Sequence, residues 1–426
     1  MLPRILYSLV FYLITPFICL RLFWRSRRMP AYRKRWRERF GFVRPPSSEL
    51  DVIWVHAVSV GETMAAVPLV RRLRDRYPHT LIAVTTTTPT GSERVQALLG
   101  DSVYHCYAPY DLPDAMARFL NRLQPKLLII METELWPNLV HACAKRDVPV
   151  VLANARLSAK SAQGYRRFAL LTAAMLGELT WVAAQHKTDG GRFLSLGLPA
   201  DRLQITGNIK FDFTLRDEQR AAAHLLAEQW RGSSGRPVWL VASTHKGEDE
   251  IILDAFAAVL QKIPDLLLVL VPRHPDRFEQ VAALCRARCH QIARRSRAEI
   301  PGIGTQILLG DTMGELPVFF GACDIAFVAG SLAPVGGHNL LEPAAWGVPV
   351  LSGPVLFNFA EASTLLLQAG ALTLCKQADE IAQAVVALLT DPERRRRQGA
   401  AARAVVDANR GALTRLMALI ERIPVR

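Results

Sequence analysis

The sequence has no Cys-x-x-Cys pair and no regular spacing among its seven cysteines, which are Cys19, Cys106, Cys143, Cys285, Cys289, Cys323 and Cys375. An odd number without a pattern argues against a disulfide framework and against a structural zinc site. We therefore expect a reducing compartment. The apolar surroundings of Cys106, Cys143 and Cys323 are typical of buried thiols. The chain also has no repeat of fixed period and no low-complexity tract.

Charge is absent from Ile5 to Leu20, whereas nine of the next twenty residues are basic. A cleaved signal peptide would carry its basic region before the apolar run, and no A-x-A site follows. The run is short for a full span and contains Pro16, so a tilted or shallowly inserted helix is an alternative to a spanning one. We expect a membrane anchor over 1–24 and a basic juxtamembrane segment over 25–49.

The basic flank indicates on which side of a membrane the chain lies. The positive-inside rule places this flank and the domains after it in the cytoplasm. Clustered arginines are attracted to an anionic membrane surface. Although the net charge is +14, no nucleic-acid recognition motif accompanies it, so we expect no nucleic-acid partner.

The remainder of the 426 residues is long enough for two globular domains. Short β-rich apolar runs alternate with amphipathic helical stretches, which predicts βαβ units and parallel sheets buried on both faces. Strands are predicted at 52–55, 81–86, 103–107, 127–131, 148–153, 181–184, 203–206, 238–242, 266–271, 306–309, 325–328, 348–351 and 371–374.

A polar helical stretch that ends in "RGSSGRP" is the best candidate for a linker between the domains. We therefore predict an α/β protein with two doubly wound Rossmann-like domains that face a cleft. The expected ranges are 50–212 for the first domain, 213–236 for the linker and 237–395 for the second domain, with helices over 396–426 that pack back toward the first domain.

Ligands of such sheets gather at the carboxyl ends of the strands. In the first domain these ends carry "VSVGET", "METELWPN", "NARLS" and "TGNIKFD". Glu62 follows the first strand closely, and two interpretations are open. It is either a functional carboxylate or a helix-start charge that the helix dipole favours. The other candidates for the acceptor or the cleft are Ser59, Glu132, Glu134, Asn154, Arg156, Lys210 and, after the first strand of the second domain, Ser243.

The strand ends of the second domain suggest a nucleotide. Arg273 in "VPRHPDR" can hold a phosphate through two N–H groups, the alternative being a solvated arginine. "GDTMGEL" offers main-chain N–H groups at a helix start. In "GGHNLLEP" the glycines allow close approach of a ligand, Asn339 can cap the next helix, and Glu342 can accept bonds from ribose. Because the pattern is not G-x-G-x-x-G, a dinucleotide is disfavoured.

A metal site is not expected. The acidic "GEDE" at 247–250 is the one segment that raises the question, but it lies at a predicted helix start, where carboxylates are favoured anyway. The sequence also has no D-x-D motif.

Seven segments together resemble the 3-deoxy-D-manno-octulosonic acid (Kdo) transferases of lipopolysaccharide assembly in Gram-negative bacteria. They are "VSVGE", "ETELWPN", "NARLS", "GNIKFD", "PRHP", "GDTMGEL" and "GGHNLLEP", in the family's order and spacing. The resemblance implies the GT-B fold, CMP-Kdo as donor and lipid IVA as acceptor. It also implies an inner-membrane anchor with the catalytic domains on the cytoplasmic side.

The resemblance also assigns residues. The family's catalytic base falls on Glu62, and its CMP contacts fall on Pro272, Arg273, Met313, Gly314, Glu315, Asn339, Leu340, Leu341 and Glu342. The implied reaction is an inverting transfer without cofactor or metal. Alternatives are a sugar-nucleotide epimerase of the same architecture, another GT-B glycosyltransferase, and a non-catalytic membrane protein that binds lipid A.

Overall fold

The computed structural model of the protein describes residues 2–27, 29–46, 50–288 and 290–424. Arg28 of the basic flank, residues 47–49 of the predicted juxtamembrane segment and Cys289 lie outside these ranges. The chain divides into two compact units, Met1–Asp212 with Arg410–Arg426, and Phe213–Asn409. Cys106, Cys143 and Cys323 are buried free thiols, as predicted.

The described part of the first unit contains a seven-stranded parallel sheet with strand order β3-β2-β1-β4-β5-β6-β7. Its strands are β1 Asp51–His56, β2 Thr80–Thr86, β3 Tyr104–Tyr107, β4 Pro125–Met131, β5 Val150–Ala155, β6 Trp181–Ala184 and β7 Leu203–Ile205. Its helices are α1 Leu2–Arg25, α2 Val60–Arg76, α3 Pro89–Leu99, α4 Pro113–Leu123, α5 Pro137–Ala144, α6 Ala159–Arg166, α7 Ala169–Gly177, α8 Lys187–Ser195 and, near the end of the chain, α17 Ala412–Ile420. The strand order reverses direction between β1 and β4, which is the topological switch point.

Both faces of this sheet are buried. Successive side chains of a strand point to opposite sides, and in β1 those of both sides lie in apolar clusters. Ile53 and Val55 belong to the apolar cluster that contains Leu69 of α2 and Leu416 of α17. Trp54, between them, belongs to the cluster on the other face, with Phe119 of α4. The apolar run that predicted β1 is therefore a strand buried on both sides.

The described part of the second unit repeats this architecture with strand order β10-β11-β9-β8-β12-β13-β14, all parallel. Its strands are β8 Val238–Thr244, β9 Leu267–Pro272, β10 Ile292–Arg294, β11 Ile307–Leu309, β12 Ile325–Val328, β13 Val350–Ser352 and β14 Leu372–Leu374. Its helices are α9 Asp217–Arg231, α10 Glu248–Leu260, α11 Phe278–Ala287, α12 Leu316–Phe319, α13 Leu341–Trp346, α14 Ala360–Gln368, α15 Ala378–Thr390 and α16 Pro392–Asn409. The switch point of this sheet lies between β8 and β12.

The prediction of two doubly wound parallel sheets is confirmed, and each predicted strand overlaps an observed one. Strand β10 was not predicted. It is a short edge strand next to β11 that contains a single buried apolar residue, Ala293, so it has no apolar run to reveal it. The first turn of helix α2 includes Glu62.

Two expected boundaries differ from the structure. Residues 213–236 belong to the second unit and do not form a free linker, because α9 buries Ala223, Leu226 and Trp230, and the Trp230 ring lies 5.3 Å from that of Phe319. Because only a few of its residues are large and apolar, the sequence of α9 resembles a polar linker. The C-terminal boundary falls at 409/410, because α16 packs within the second unit whereas α17 packs on α2 in the first.

Candidate functional site

Glu62 lies in the first turn of α2, directly above the switch point of the first sheet. The residue is 8% exposed, and both oxygens of its carboxylate accept hydrogen bonds. The backbone N–H of Val58 donates to Oε2 at 2.8 Å, and the Ser59 hydroxyl donates to Oε1 at 2.7 Å. Ser59 also caps the helix, because its Oγ accepts from the Glu62 N–H at 3.2 Å. In this position the negative charge of Glu62 is favoured by the helix dipole. Its buried surroundings also change its pKa.

Burial raises the pKa of Glu62, the bonds from Ser59 and Val58 lower it, and the negative charges of Glu134 and Glu132 raise it, so that the pKa is about 7. Burial likewise raises the pKa of Glu134, which accepts from the Trp136 indole N–H at 3.1 Å. A carboxyl with a pKa near the working pH is suited to accept and release a proton.

Glu132 and Glu134 follow β4, on the other side of the switch point. Glu132 adopts a left-handed backbone conformation with φ 56°. Lys210, in the short turn after β7, brings its ammonium to 3.5 Å from Oε1 of Glu132. A non-glycine residue with positive φ is uncommon and costs conformational energy, which at strand ends is characteristic of functional sites. The first unit thus brings three carboxylates and one lysine to one sheet edge.

The remaining first-unit candidates have different positions. Asn154, at φ 52°, is fully buried, and its Oδ1 accepts from the N–H of Ile209, which fixes the turn that carries Lys210. Its Nδ2 has no hydrogen-bond partner among the described residues. Arg156 has an exposed side chain. Ser243, at φ 64°, lies at the end of β8 and so belongs to the second unit.

Arg273 follows Pro272, the last residue of β9, and its backbone N–H donates to the carbonyl of Thr244 at 3.0 Å. Arg273 is half-buried, and its guanidinium has no ion-pair or hydrogen-bond partner within the described part of the chain. The neighbouring Arg277 is instead bound to Asp249. Arg273 is therefore an unneutralised cation at the strand ends of the second unit, as a phosphate-binding role requires.

The two other segments proposed to bind CMP differ in their exposure and in the hydrogen bonds that they make within the fold. In the first, Met313 is exposed, Gly314 has φ +89°, and Glu315 is held by Arg295, which lowers its pKa. In the second, Oδ1 of Asn339 accepts from the N–H of Leu341, and its Nδ2 donates to Glu342 at 3.0 Å. Leu340 and Leu341 are buried. Burial raises the pKa of Glu342.

The glycine pair before His338 has a packing role that the sequence interpretation missed. A Cβ on Gly336 would lie 2.5 Å from the Phe357 ring, and one on Gly337 would lie 2.5 Å from the Leu356 side chain. Both residues also have positive φ, 103° and 77°. The pair is therefore required by the turn and its packing on residues 355–358, and close approach of a ligand is not needed to explain it.

The acidic "GEDE" segment is also used within the fold. The Glu248 carboxylate accepts from the backbone N–H groups of His245, Gly330, Ser331 and Leu332 at 2.8–3.0 Å. Asp249 accepts from the Thr244 hydroxyl and from Arg277. These two buried carboxylates fasten the strand ends at the second switch point, and their oxygens are already occupied.

A pair of histidines at this switch point escaped the sequence reasoning. His245 follows β8 and His338 lies in the loop between β12 and α13, and their Nε2 atoms are 2.9 Å apart. The two are 93 residues apart in the chain, so no local pattern connects them. His274, next to Arg273, places its ring 5.3 Å from that of His245.

Helix α1 is long and apolar enough, by length and composition, to cross a membrane, and no other helix of the described residues is. One side of α1 is attached to the first unit. Arg4 and Ser8 donate to Oδ1 of Asn138 at 3.2 and 3.1 Å, and Tyr12 donates to Asp114. The other side exposes large apolar side chains, with Leu13 and Phe17 exposed by 73% and 71%.

Comparison with known proteins places this geometry in a family. Residues 34–213 match the family model "3-Deoxy-D-manno-octulosonic-acid transferase (kdotransferase)", and residues 240–405 match "Glycosyl transferases group 1". A 3-deoxy-D-manno-octulosonic acid transferase of Haemophilus influenzae is 47% identical over 98% of both chains. One of Bordetella pertussis is 38% identical over 98% of this chain and 99% of its own length.

Solved structures bear on the fold alone. A UDP-GlcNAc 2-epimerase of Neisseria meningitidis aligns with a TM-score of 0.57 over 87% of this chain and 100% of its own, at 14% identity. An identity of 14% shows a shared fold and says nothing about a shared activity. The relatives that match nearly the full length at higher identity are transferases. The chain therefore belongs to the 3-deoxy-D-manno-octulosonic acid transferase family, and its two parallel-sheet units have the GT-B glycosyltransferase fold.

Proposed function

We propose that the protein transfers Kdo from CMP-Kdo to lipid IVA with inversion, using Glu62 as general base. The observation that carries this proposal is the Glu62 carboxyl, whose pKa of about 7 lets it exist as a carboxylate that accepts a proton at neutral pH. The acceptor hydroxyl gives its proton to Glu62 as its oxygen bonds to the anomeric carbon of Kdo. The bond from that carbon to the phosphate oxygen breaks, and CMP leaves with the electron pair.

The donor is proposed to bind the second unit. Arg273 supplies the cation for the phosphate that carries the leaving charge, and a guanidinium can offer two parallel N–H groups to it. The turn at Met313–Glu315 and the segment Asn339–Glu342 are the other proposed contacts of CMP. Because α12 and α13 have only four and six residues, their N-termini contribute little, and Arg273 carries most of the electrostatic role.

The test of this function is mass spectrometry of lipid IVA after incubation with CMP-Kdo and the purified protein. We expect a lipid product heavier by one or more Kdo residues, with CMP released in proportion to it. Release of CMP at the same rate without lipid, or an unmodified lipid with an altered donor, would contradict the proposal and favour hydrolysis or epimerisation.

We further propose that transfer needs no metal ion. The carboxylates of the one acidic segment considered for a metal, Glu248 and Asp249, are bound to N–H groups, a hydroxyl and Arg277. In this proposal Arg273 supplies the positive charge for the phosphate that a metal ion would otherwise supply. We therefore expect that thorough chelation leaves most of the transferase activity, measured as Kdo-lipid formed per minute. Loss of activity that returns when magnesium is added back would contradict this prediction.

The anchor is proposed to lie in the cytoplasmic leaflet of the inner membrane without crossing it. The polar contacts of Arg4, Ser8 and Tyr12 hold the N-terminal half of α1 against the first unit, so the N-terminus of the helix cannot lie across a bilayer while they persist. The exposed apolar side of α1, together with Leu170 of α7, exposed by 78%, is suited to shallow insertion. The basic residues after α1 then face anionic headgroups.

This orientation predicts where the N-terminus lies. A tag before α1 is expected to be digested by protease in inside-out membrane vesicles and protected in spheroplasts, as a C-terminal tag on the same protein is. A spanning helix with its basic flank in the cytoplasm would place the N-terminal tag in the periplasm. Digestion of that tag in spheroplasts, with the C-terminal tag still protected, would therefore contradict the prediction.

A further inference from the structure

Two imidazole rings meet at the switch point of the second sheet, where ligands of doubly wound folds bind. The rings of His245 and His338 are nearly parallel, with an interplanar angle of 8° and centroids 5.1 Å apart, and their Nε2 atoms are 2.9 Å apart. At that distance one nitrogen must donate and the other accept, so the pair is neutral or carries a single added proton. Two protonated rings would present N–H to N–H.

The fold makes room for this pair. Gly330, which follows β12, has φ +71°, and a Cβ there would lie 2.8 Å from Nε2 of His338. The loop that carries it is fastened to the start of α10 by Glu248, which accepts from the N–H groups of Gly330 and His245. Both rings are only half-buried, so a ligand can reach them. A site formed from three separate strand ends is thus held rigidly.

The charged groups around the pair favour an anion. From the segment after β9, the unneutralised Arg273 and the exposed His274 face the rings, and Arg277 is also near but is bound to Asp249. From α10, the Glu248 carboxylate is turned toward four N–H donors. Burial, the neighbouring histidines and Arg273 lower the pKa of His338 to about 4, and burial also lowers that of His245. An anion placed here would reverse this effect.

We propose that His245, His338 and Arg273 form a binding site for an anionic oxygen group of the donor, its sugar carboxylate or its phosphate, and that the imidazole pair takes up one proton when that group binds. This rests on the proposed function. Arg273 provides the permanent charge, and the histidine pair provides a second charge only when the anion is present. A sugar nucleotide without a second anionic group would gain less from the site.

Isothermal titration of CMP-Kdo and of CMP in buffers with different ionisation enthalpies measures this proton directly. The carboxylate and the phosphodiester of CMP-Kdo do not titrate between pH 6 and 8, so protons taken up are bound by the protein. We expect uptake with wild-type protein that is lost in His245→Gln and His338→Gln. His290→Gln is the matched control, since His290 bonds to Gln306 elsewhere in the second unit.

Affinity gives a second readout. Because hydrogen bonds to charged groups are strong, we expect the two variants to bind CMP-Kdo about tenfold more weakly, or more, at pH 6.5, with a smaller difference at pH 8.

The two ligands distinguish the sources of the anion. If the variants lose proton uptake with CMP-Kdo alone, the bound group is the carboxylate. If they lose it with CMP as well, after subtraction of the titration of free CMP, the bound group is the phosphate.

Unchanged proton uptake and unchanged affinity in both variants, with CMP-Kdo bound by the wild type, would overturn the site while leaving the transferase function intact. If the wild type binds neither CMP-Kdo nor CMP, the proposed function itself fails. Thermal unfolding of each variant, compared with that of the wild type, verifies that it is folded independently of nucleotide binding.

Discussion

Replacing Glu62 with glutamine is expected to slow single-turnover transfer to lipid IVA by about 100-fold or more, the usual effect of losing a general base. Glutamine has nearly the same size and can still accept from the Ser59 hydroxyl, which donates to Glu62 at 2.7 Å, but it cannot take the acceptor proton. Binding of CMP-Kdo should be nearly unchanged, because the proposed donor contacts lie on the second unit.

Thermal unfolding of the same variant separates the base from a simple helix-start charge. The pKa of Glu62 is about 7 in the folded protein and near 4.5 in the unfolded chain, so the folded state holds an extra proton between these values. The free energy of unfolding therefore falls as pH rises through this window, and glutamine removes that fall. We expect a smaller difference in melting temperature between pH 5 and pH 8 in Glu62→Gln than in the wild type.

Other outcomes would assign Glu62 differently. A helix-start charge alone is worth about 0.3–1 kcal/mol, so its loss would lower stability at pH 8 and leave turnover almost unchanged. Near-normal transfer in Glu62→Gln would move the base to Glu132 or Glu134, the other carboxylates of this sheet edge. The matching Glu132→Gln and Glu134→Gln variants then decide between them.

Replacing Arg273 with alanine is expected to weaken CMP-Kdo binding about 10- to 100-fold, since a charge-assisted hydrogen bond contributes about 1.5–3 kcal/mol. Arg273→Lys should recover part of this loss, because lysine restores the charge but cannot offer two N–H groups in one plane. Equilibrium binding measured by titration is the readout. Arg286→Ala, at an exposed arginine of α11, is the matched control.

Glu342→Ala tests the other side of the same donor site. It removes the carboxylate that Asn339 contacts, and CMP binding should weaken if this carboxylate holds the ribose. Unchanged nucleotide affinity in both Arg273→Ala and Glu342→Ala would place the donor elsewhere on the chain.

Most of the fold could be predicted because parallel strands buried on both faces are continuous apolar runs, as in β1, β4 and β9. The pattern failed where other forces hold an element. Strand β10 has no apolar run. It is held by Arg294, whose guanidinium donates to the buried Asp311 at 2.7 Å. Helix α9 is held by a few large side chains such as Trp230, which a polar sequence conceals.

The candidate site, too, could be predicted only in part from the sequence. The position of Glu62 at a strand end followed from the order of elements. Its raised pKa comes first from burial and then from the charges of Glu134 and Glu132, some seventy residues later, and neither can be read from the local sequence. The packing of Gly336 and Gly337 on residues 355–358, and the contact of His245 with His338, are likewise long-range. Spacing along the chain identifies strand ends, and only the folded chain shows which of them meet.

The pH dependence of single-turnover transfer, at saturating CMP-Kdo and lipid IVA, tests the role of Glu62 most directly. Only the carboxylate form accepts a proton, and burial raises the pKa of Glu62 to about 7. The wild-type rate is therefore expected to rise about tenfold per pH unit from pH 5.5 and to level off above pH 7. The Glu62→Gln variant should be slow and lack this rise. A wild-type rate independent of pH over this range, or the same profile in Glu62→Gln, would contradict the assignment of Glu62 as the base.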